Sequence, residues 1–245
     1  MRRSACFSYA RAEYPLGPVL VHHVPAVSEG SREDWERRWA TTPEGDFHWF
    51  LGDETPAELA EALARDDLPA GAALDVGCGS GNITVRIADR FRPTIGFDIA
   101  LSAIRIARAR GGDGSHFIVA ASPDFPFPDG AFAFIFDRGC LQHVPRPAWP
   151  VYFASLQRML VPGGLVELMI PGQPPPGALS VRGIRARIAK MRGRRGGSRM
   201  VSMSRAIQHH VPAGMLIEKV GTAHLPSGGG WPITHAVLRK APRER

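Results

Sequence analysis

The chain has 245 residues, 44% hydrophobic and 22% charged, with a formal net charge of +7. That length allows one α/β domain with a well-buried core, and the composition is that of a globular protein rather than a disordered or fibrous one. No apolar run approaches the ~20 residues needed to cross a bilayer. The cysteines, Cys6, Cys78 and Cys140, form no C-x-x-C pair, which speaks against a disulfide framework or a zinc site and for a reducing cytoplasm.

Residues 1–30 hold Pro15, Gly17, Pro18 and Pro25 without periodicity and read as an extended arm; no hydrophobic segment of a secretory signal follows Met1-Arg2-Arg3. Residues 31–245 then read as a single domain. Ser31 with Asp34 predicts a capped helix carrying Trp35 and Trp39 on one face. Thr55-Pro56 opens a second helix through Arg65 with Leu59, Ala60 and Leu63 inside, completing a helical cover over 31–70. The core, 71–170, starts with a strand at Ala72, then a glycine turn and a helix through Ile83, Val85, Ile87 and Ala88. Strand 2 is Thr94–Asp98. The next helix carries Ile104, Ile106 and Ala107 and stops at Gly111-Gly112. Strand 3 is His116–Ala120, strand 4 the apolar run Ala131–Asp137, suited to the centre of a parallel sheet. A helix over Pro147–Leu160 leads to strand 5 at Gly164–Ile170. Residues 171–200 are basic, with no carboxylate between Glu167 and Glu218. A helix starts at Ser202 or Ser204, and strands Met215–Thr222 and Ile233–Arg239, joined by a turn through Pro226–Gly230, close the chain over 201–245. Alternating strands and helices predict a doubly wound, mostly parallel sheet.

Leu74-Asp75-Val76-Gly77-Cys78-Gly79-Ser80-Gly81-Asn82 carries most of the functional information. Glycines allow positive φ and close approach of backbone to a ligand. The helix behind them offers free N–H groups and a positive dipole end. Strand 2 ends on Asp98, a carboxylate placed to accept both hydroxyls of a ribose. Together they predict a nucleoside-bearing cofactor. The dinucleotide pattern G-x-G-x-x-G would need glycine at 82, where Asn82 stands, and this weighs against a nicotinamide oxidoreductase.

The same stretch closely resembles motif I of the class I S-adenosylmethionine-dependent methyltransferases. Phe125-Pro126-Phe127-Pro128-Asp129-Gly130-Ala131-Phe132 resembles that family's segment before strand 4, and Leu160-Val161-Pro162-Gly163-Gly164 its turn before strand 5. The resemblance implies a seven-stranded sheet with the last strand antiparallel. It implies S-adenosyl-L-methionine as cofactor, held by Asp75, Gly77, Cys78, Gly79, Ser80, Gly81, Asp98 and Ile99, with Asp137 and Arg138 nearby. The family's adenine-reading acid has no counterpart at Ala121; Ser122 or Asp124 takes that place.

Asp137-Arg138-Gly139-Cys140 resembles a subgroup of small-molecule methyltransferases of thiopurine and tellurite-resistance type. So does the Trp35-Glu36-Arg37-Arg38-Trp39 cover with Trp49. Methyl transfer from sulfonium is an in-line displacement whose leaving group departs neutral, so alignment matters most. A hydroxyl or amine acceptor also calls for a base; His143 is the first candidate and Asp137 the second. Trp39, Trp49, Cys140 and His143 are the expected acceptor wall. The predicted partner is a small-molecule acceptor, with no membrane involved. A nucleic-acid acceptor on the basic stretch 182–199 is the alternative, and a non-catalytic scaffold a third reading.

Overall fold

The computed structural model describes residues 31–47, 49–52, 54–123, 125–171, 197–224 and 232–242. The arm 1–30, Asp124, residues 182–196 of the basic stretch 182–199 and the turn 226–230 lie outside the described residues.

The cover begins as expected. Helix α1 (Arg32–Thr41) is capped by a reciprocal box: Ser31 Oγ accepts Asp34 N–H at 3.2 Å and Asp34 accepts Ser31 N–H at 3.1 Å. Such boxes satisfy backbone donors that the first turn leaves bare. Helix α2 (Ala57–Leu63) starts after Pro56 and buries Leu59 and Ala62. The core runs β1 (Ala72–Val76), α3 (Asn82–Ile87), β2 (Thr94–Asp98), α4 (Leu101–Arg110), β3 (Ser115–Val119), β4 (Phe132–Arg138), α5 (Trp149–Met159) and β5 (Leu160–Pro171). It ends with α6 (Gly197–His210), β6 (Met215–His224) and β7 (Pro232–Lys240).

The strands form one seven-stranded sheet in the order β3-β2-β1-β4-β5-β7-β6. β1 to β5 pair in parallel, and β7 lies antiparallel between β5 and β6. The order turns back on itself between β1 and β4, the place where open α/β sheets bind ligands beyond their strand ends.

Strand parity divides the core. Leu74, Val76, Ile135, Val166, Leu168 and Ile170 join Trp149, Tyr152 and Phe153 of α5. Ala73, Phe134, Phe136, Leu165 and Met169 pack instead on Leu59 of α2 and on Ile83 and Ile87 of α3. β4 is buried from Phe132 to Asp137, so it is apolar on both faces.

Strand 5 departs from expectation by starting at Leu160. Leu160 already pairs with Phe132, and the register then jumps so that Leu165 meets Phe134. The Pro162-Gly163-Gly164 turn is therefore a bulge within the strand, with Gly163 at φ +80°. Helix α6 begins at Gly197, ahead of both serines proposed as its start. Among the described residues no helix is long and apolar enough to cross a membrane.

Candidate active site

Three turns converge beyond the carboxyl ends of β1, β2 and β4. The first is the glycine turn, in which Gly77, Gly79 and Gly81 all take positive φ (+68°, +54°, +77°). Their missing side chains make room for protein. A Cβ on Gly79 would stand 2.8 Å from the Trp39 indole, one on Gly81 2.6 Å from Phe117, and one on Gly77 3.0 Å from Cys140. The close approach foreseen for a ligand is thus shared with three packed side chains. Helix α3 is also only six residues long, so the dipole expected behind the turn is short.

The second turn follows β2. Asp98 Oδ2 accepts Gly79 N–H at 3.0 Å and Oδ1 accepts Ala100 N–H at 2.9 Å. Burial pushes its carboxyl up to about 6, against the pull of the Ala100, Gly79 and Ile99 amides. Each carboxylate oxygen carries two lone-pair sites, so with three amides bound one site stays open for a further donor such as a ribose hydroxyl. Ile99 beside it is half-buried.

Asp75 points to the α2–α3 face. Its Oδ2 accepts Thr84 Oγ1–H at 2.6 Å, tying β1 to α3. Burial, with Asp137 and Asp98 adding to it, raises Asp75 to about 7, opposed mainly by the Thr84 hydrogen bond. Burial also pushes the Cys78 thiol well up, and Ser80 is buried while its carbonyl accepts Arg110 Nε–H at 3.0 Å.

The third turn follows β4. Asp137, a candidate base from the sequence, accepts three donors inside the fold. Oδ1 takes Cys140 N–H at 2.7 Å, and Oδ2 takes Leu141 N–H at 3.0 Å and Tyr152 O–H at 2.5 Å. Burial raises it to about 6, with Tyr152, Cys140 and Leu141 pulling the other way. Asp137 thus locks the turn and ties it to α5 through Tyr152.

Arg138, by strand parity, faces α2 and α3. Its Nη1 donates to Trp49 O at 2.7 Å, its Nε is buried with no partner, and burial lowers its pKa despite Asp75 and Glu58. Cys140 Sγ lies 3.8 Å from Ser122 Oγ, and burial foremost holds it as a thiol.

The cover closes over these turns. Glu36 accepts Ser102 Oγ–H at 2.5 Å and Ser102 N–H at 3.2 Å at the head of α4. Arg110 joins Glu44 at 2.7 Å, and Asn82 Nδ2–H donates to Gly52 O at 3.0 Å. Trp39 packs with Phe47, Ala100 and Ala103. Trp49 stacks on Phe47 at 4.6 Å, and Trp35 meets the His143 ring edge-on at 5.0 Å. Trp39 is thereby part of the floor of the cover, while Trp35, half-buried on the same helix face, meets His143. Among the described residues no group of three His, Cys, Asp or Glu side chains is placed to hold a metal.

Residues 73–164 match a family model described as a methyltransferase domain. The chain is 30% identical over 150 residues to a probable thiol methyltransferase 2 of Arabidopsis thaliana, covering 59% of this chain and 65% of that protein. It is 35% identical over 125 residues to a trans-aconitate 2-methyltransferase of Sinorhizobium fredii, 49% of this chain and 46% of the relative. The chain therefore spans less than two thirds of either relative's length. Among solved structures, a geranyl diphosphate C-methyltransferase of Streptomyces coelicolor in complex with S-adenosyl-L-homocysteine superposes with a TM-score of 0.56. That match has 16% identity and covers 89% of this chain and 100% of the other.

Proposed function

From the match of residues 73–164 to a methyltransferase domain and the likeness to named methyltransferases, we propose that this chain is a class I S-adenosylmethionine-dependent methyltransferase that transfers a methyl group from S-adenosyl-L-methionine to a small molecule that reacts as an anion. The single observation that carries the cofactor reading is Asp98. Its carboxylate closes β2, is bound to the backbone of both flanking turns, and keeps a lone pair for a ribose hydroxyl. Gly77 to Gly81 form the rim beside it, with Ile99 and Ser122 next to the base. Asp124, the other adenine candidate, lies outside the described residues.

The cofactor supplies a methyl group on positively charged sulfur, a carbon already activated for displacement. What the chain adds is alignment and exclusion of water. The cover lays Trp39 and Phe47 over the turn, and Asp137 fixes the Cys140–Leu141 backbone opposite it. Alignment of this kind is worth roughly 7–11 kcal/mol in favourable cases. Arg138 sets the charge of the acceptor: a buried guanidinium with an unpartnered Nε–H favours a thiolate or carboxylate over a neutral or cationic amine. Named relatives act on a thiol and on trans-aconitate, the two chemistries that fit. We assign His143, with Trp35 and Trp49, to the acceptor wall. The nucleic-acid alternative rests on the stretch 182–199, and the small-molecule acceptors of these relatives weigh against it. Free thiols at Cys78 and Cys140 suit a cytoplasmic protein.

Titration calorimetry tests the reading. The protein should bind S-adenosyl-L-methionine and its demethylated product, and Asp98→Ala should weaken both by about 100-fold, the loss of charge-assisted hydrogen bonds. A wild-type protein that binds neither ends the proposal.

A further inference from the structure

On the α2–α3 face of the sheet lies a second set of buried polar groups that the cofactor site does not use. His235 on β7 and Glu167 on β5 meet at 2.9 Å between Nε2 and Oε1, with side chains only 3% and 1% exposed. His235 sits opposite Met169, and Met169 opposite Arg138. The three residues form one lateral row at the carboxyl end of the sheet, so Arg138 and His235 are two strand spacings apart, about 10 Å. Their side chains rise from the same face, on either side of Met169. His235 Nδ1 and Glu167 Oε2 are buried without partners, as are Arg138 Nε and Glu58 Oε2. Each such orphan is costly to bury unless something completes it. A row holding a cation, a carboxylate-bound imidazole and unfilled polar atoms is built for a polar guest.

We propose that His235, held by Glu167, is the catalytic base that takes the acceptor's proton, a role resting on the methyl-transfer reading above. Donation of Nε2–H to the Glu167 carboxylate fixes the tautomer, and the Nδ1 lone pair is then the only basic site left. The carboxylate also stabilises the imidazolium that forms, the division of labour seen in serine-hydrolase triads. In the step, the acceptor's X–H proton passes to Nδ1 and its electron pair attacks the methyl carbon. The X–CH3 bond forms, the S–CH3 bond breaks, and its pair stays on the departing neutral sulfur. Arg138 holds the anion between the two events. An acceptor that enters already ionised has no need of His235; one with an ordinary alkyl thiol does.

The experiment compares two thiols under saturating S-adenosyl-L-methionine at pH 7: 2-mercaptoethanol, which enters protonated, and 4-nitrothiophenol, which enters as thiolate. His235→Gln should lower kcat/KM for 2-mercaptoethanol by about 100-fold or more, and the residual rate should rise tenfold per pH unit. The same variant should leave 4-nitrothiophenol within about threefold, because general-base help is then irrelevant. Glu167→Gln should show the same split, more weakly, and covers the case in which His235→Gln does not fold. Equal losses on both thiols, or no loss on either, overturn the proposal. Should the wild type methylate neither thiol while binding the cofactor, the methyl-transfer reading fails at its acceptor, and nitrogen NMR decides on His235 separately. The ring should carry its proton on Nε2, and its Nδ1 resonance should move when 2-mercaptoethanol is added to protein saturated with S-adenosyl-L-homocysteine. An Nδ1–H tautomer, or an unmoved resonance, overturns the base.

Discussion

The two ends of the sheet treat the same functional group in opposite ways. At the carboxyl end, Asp75, Asp98 and Asp137 are buried and pushed up to about 7, 6 and 6. At the other end, Asp67 is pulled down to about 2, chiefly by its hydrogen bond from Arg65, with Arg239 and Arg65 adding their charge. Asp67 is 58% exposed, and Arg239 reaches both it and Glu218, whose other oxygen takes Arg65. One end stores carboxylates that water would rather solvate; the other uses carboxylates to pin β7 and the loop before β1. Stability is given up where a ligand is expected and recovered where none is, as placing groups for chemistry demands.

The sharpest break of that contrast is Asp137→Ala. It leaves the Tyr152 hydroxyl and the Cys140 and Leu141 amides unsatisfied in the core. Buried donors left bare cost ~1–3 kcal/mol each, and relief of the carboxylate's own desolvation offsets part, so a net loss of ~3 kcal/mol is expected in chemical denaturation. Tyr152→Phe removes a single donor and should cost about 1 kcal/mol. Equal, small effects for both would mean the turn is held by packing alone.

Gly79→Ala comes next. It asks an L-residue to hold φ +54° and sets a methyl 2.8 Å from the Trp39 ring. The backbone strain is of order 1–3 kcal/mol, and the ring must shift with the cover. Melting should fall by several degrees and cofactor affinity should fall with it. If Trp39→Ala relieves part of the stability loss, the cover and the turn are coupled; strict additivity would show that they are not.

How far the sequence carried this site depends on what kind of signal each residue leaves. The turn Gly77–Gly81 and Asp98 were legible because positive φ and a strand-ending acid each have a local pattern. The helix cap at Ser31–Asp34 was legible for the same reason. Asp137 was placed rightly at the end of β4, yet its carboxylate also takes a tyrosine fifteen residues on, a pairing that only the packed helix α5 creates. Glu167 and His235 left no signal at all. They meet because β7 enters the sheet antiparallel beside β5, and no local pattern reports a contact made by strand order. The bulge at Pro162–Gly164 hid in the same way, since a turn motif and a strand interrupted by a turn share one sequence.

A third prediction moves pH rather than residues. The folded state holds protons on Asp75, Asp98 and Asp137 that the unfolded chain has already released by pH ~4. Folded pKa values lie above unfolded ones, so these groups favour folding below pH ~4, and that help is lost as pH rises through about 6 to 7. The denaturation midpoint should fall between pH 5 and pH 7.5. Cofactor affinity should move the other way, rising as Asp98 ionises through about 6, because a protonated carboxyl offers a diol fewer acceptors. A midpoint that rises across this window would show that the carboxyl end is better solvated than its burial implies.

The smallest effect belongs to the other end. Asp67 is depressed, so its contribution is present above pH ~4 and is lost only as pH falls through about 2. It should therefore be flat across the window in which the carboxyl end titrates. Being largely exposed and screened by solvent, its pairing with Arg65 and Arg239 is worth at most ~1 kcal/mol. Asp67→Asn should lower the denaturation midpoint slightly in low salt and by less in 0.5 M sodium chloride, where screening has removed most of the attraction. Cofactor affinity should not change, because the whole depth of the sheet separates Asp67 from Asp98. A salt-independent loss, or a loss of cofactor binding, would mean that the two ends are mechanically coupled through β5 and β7, and that the division of labour between them is false.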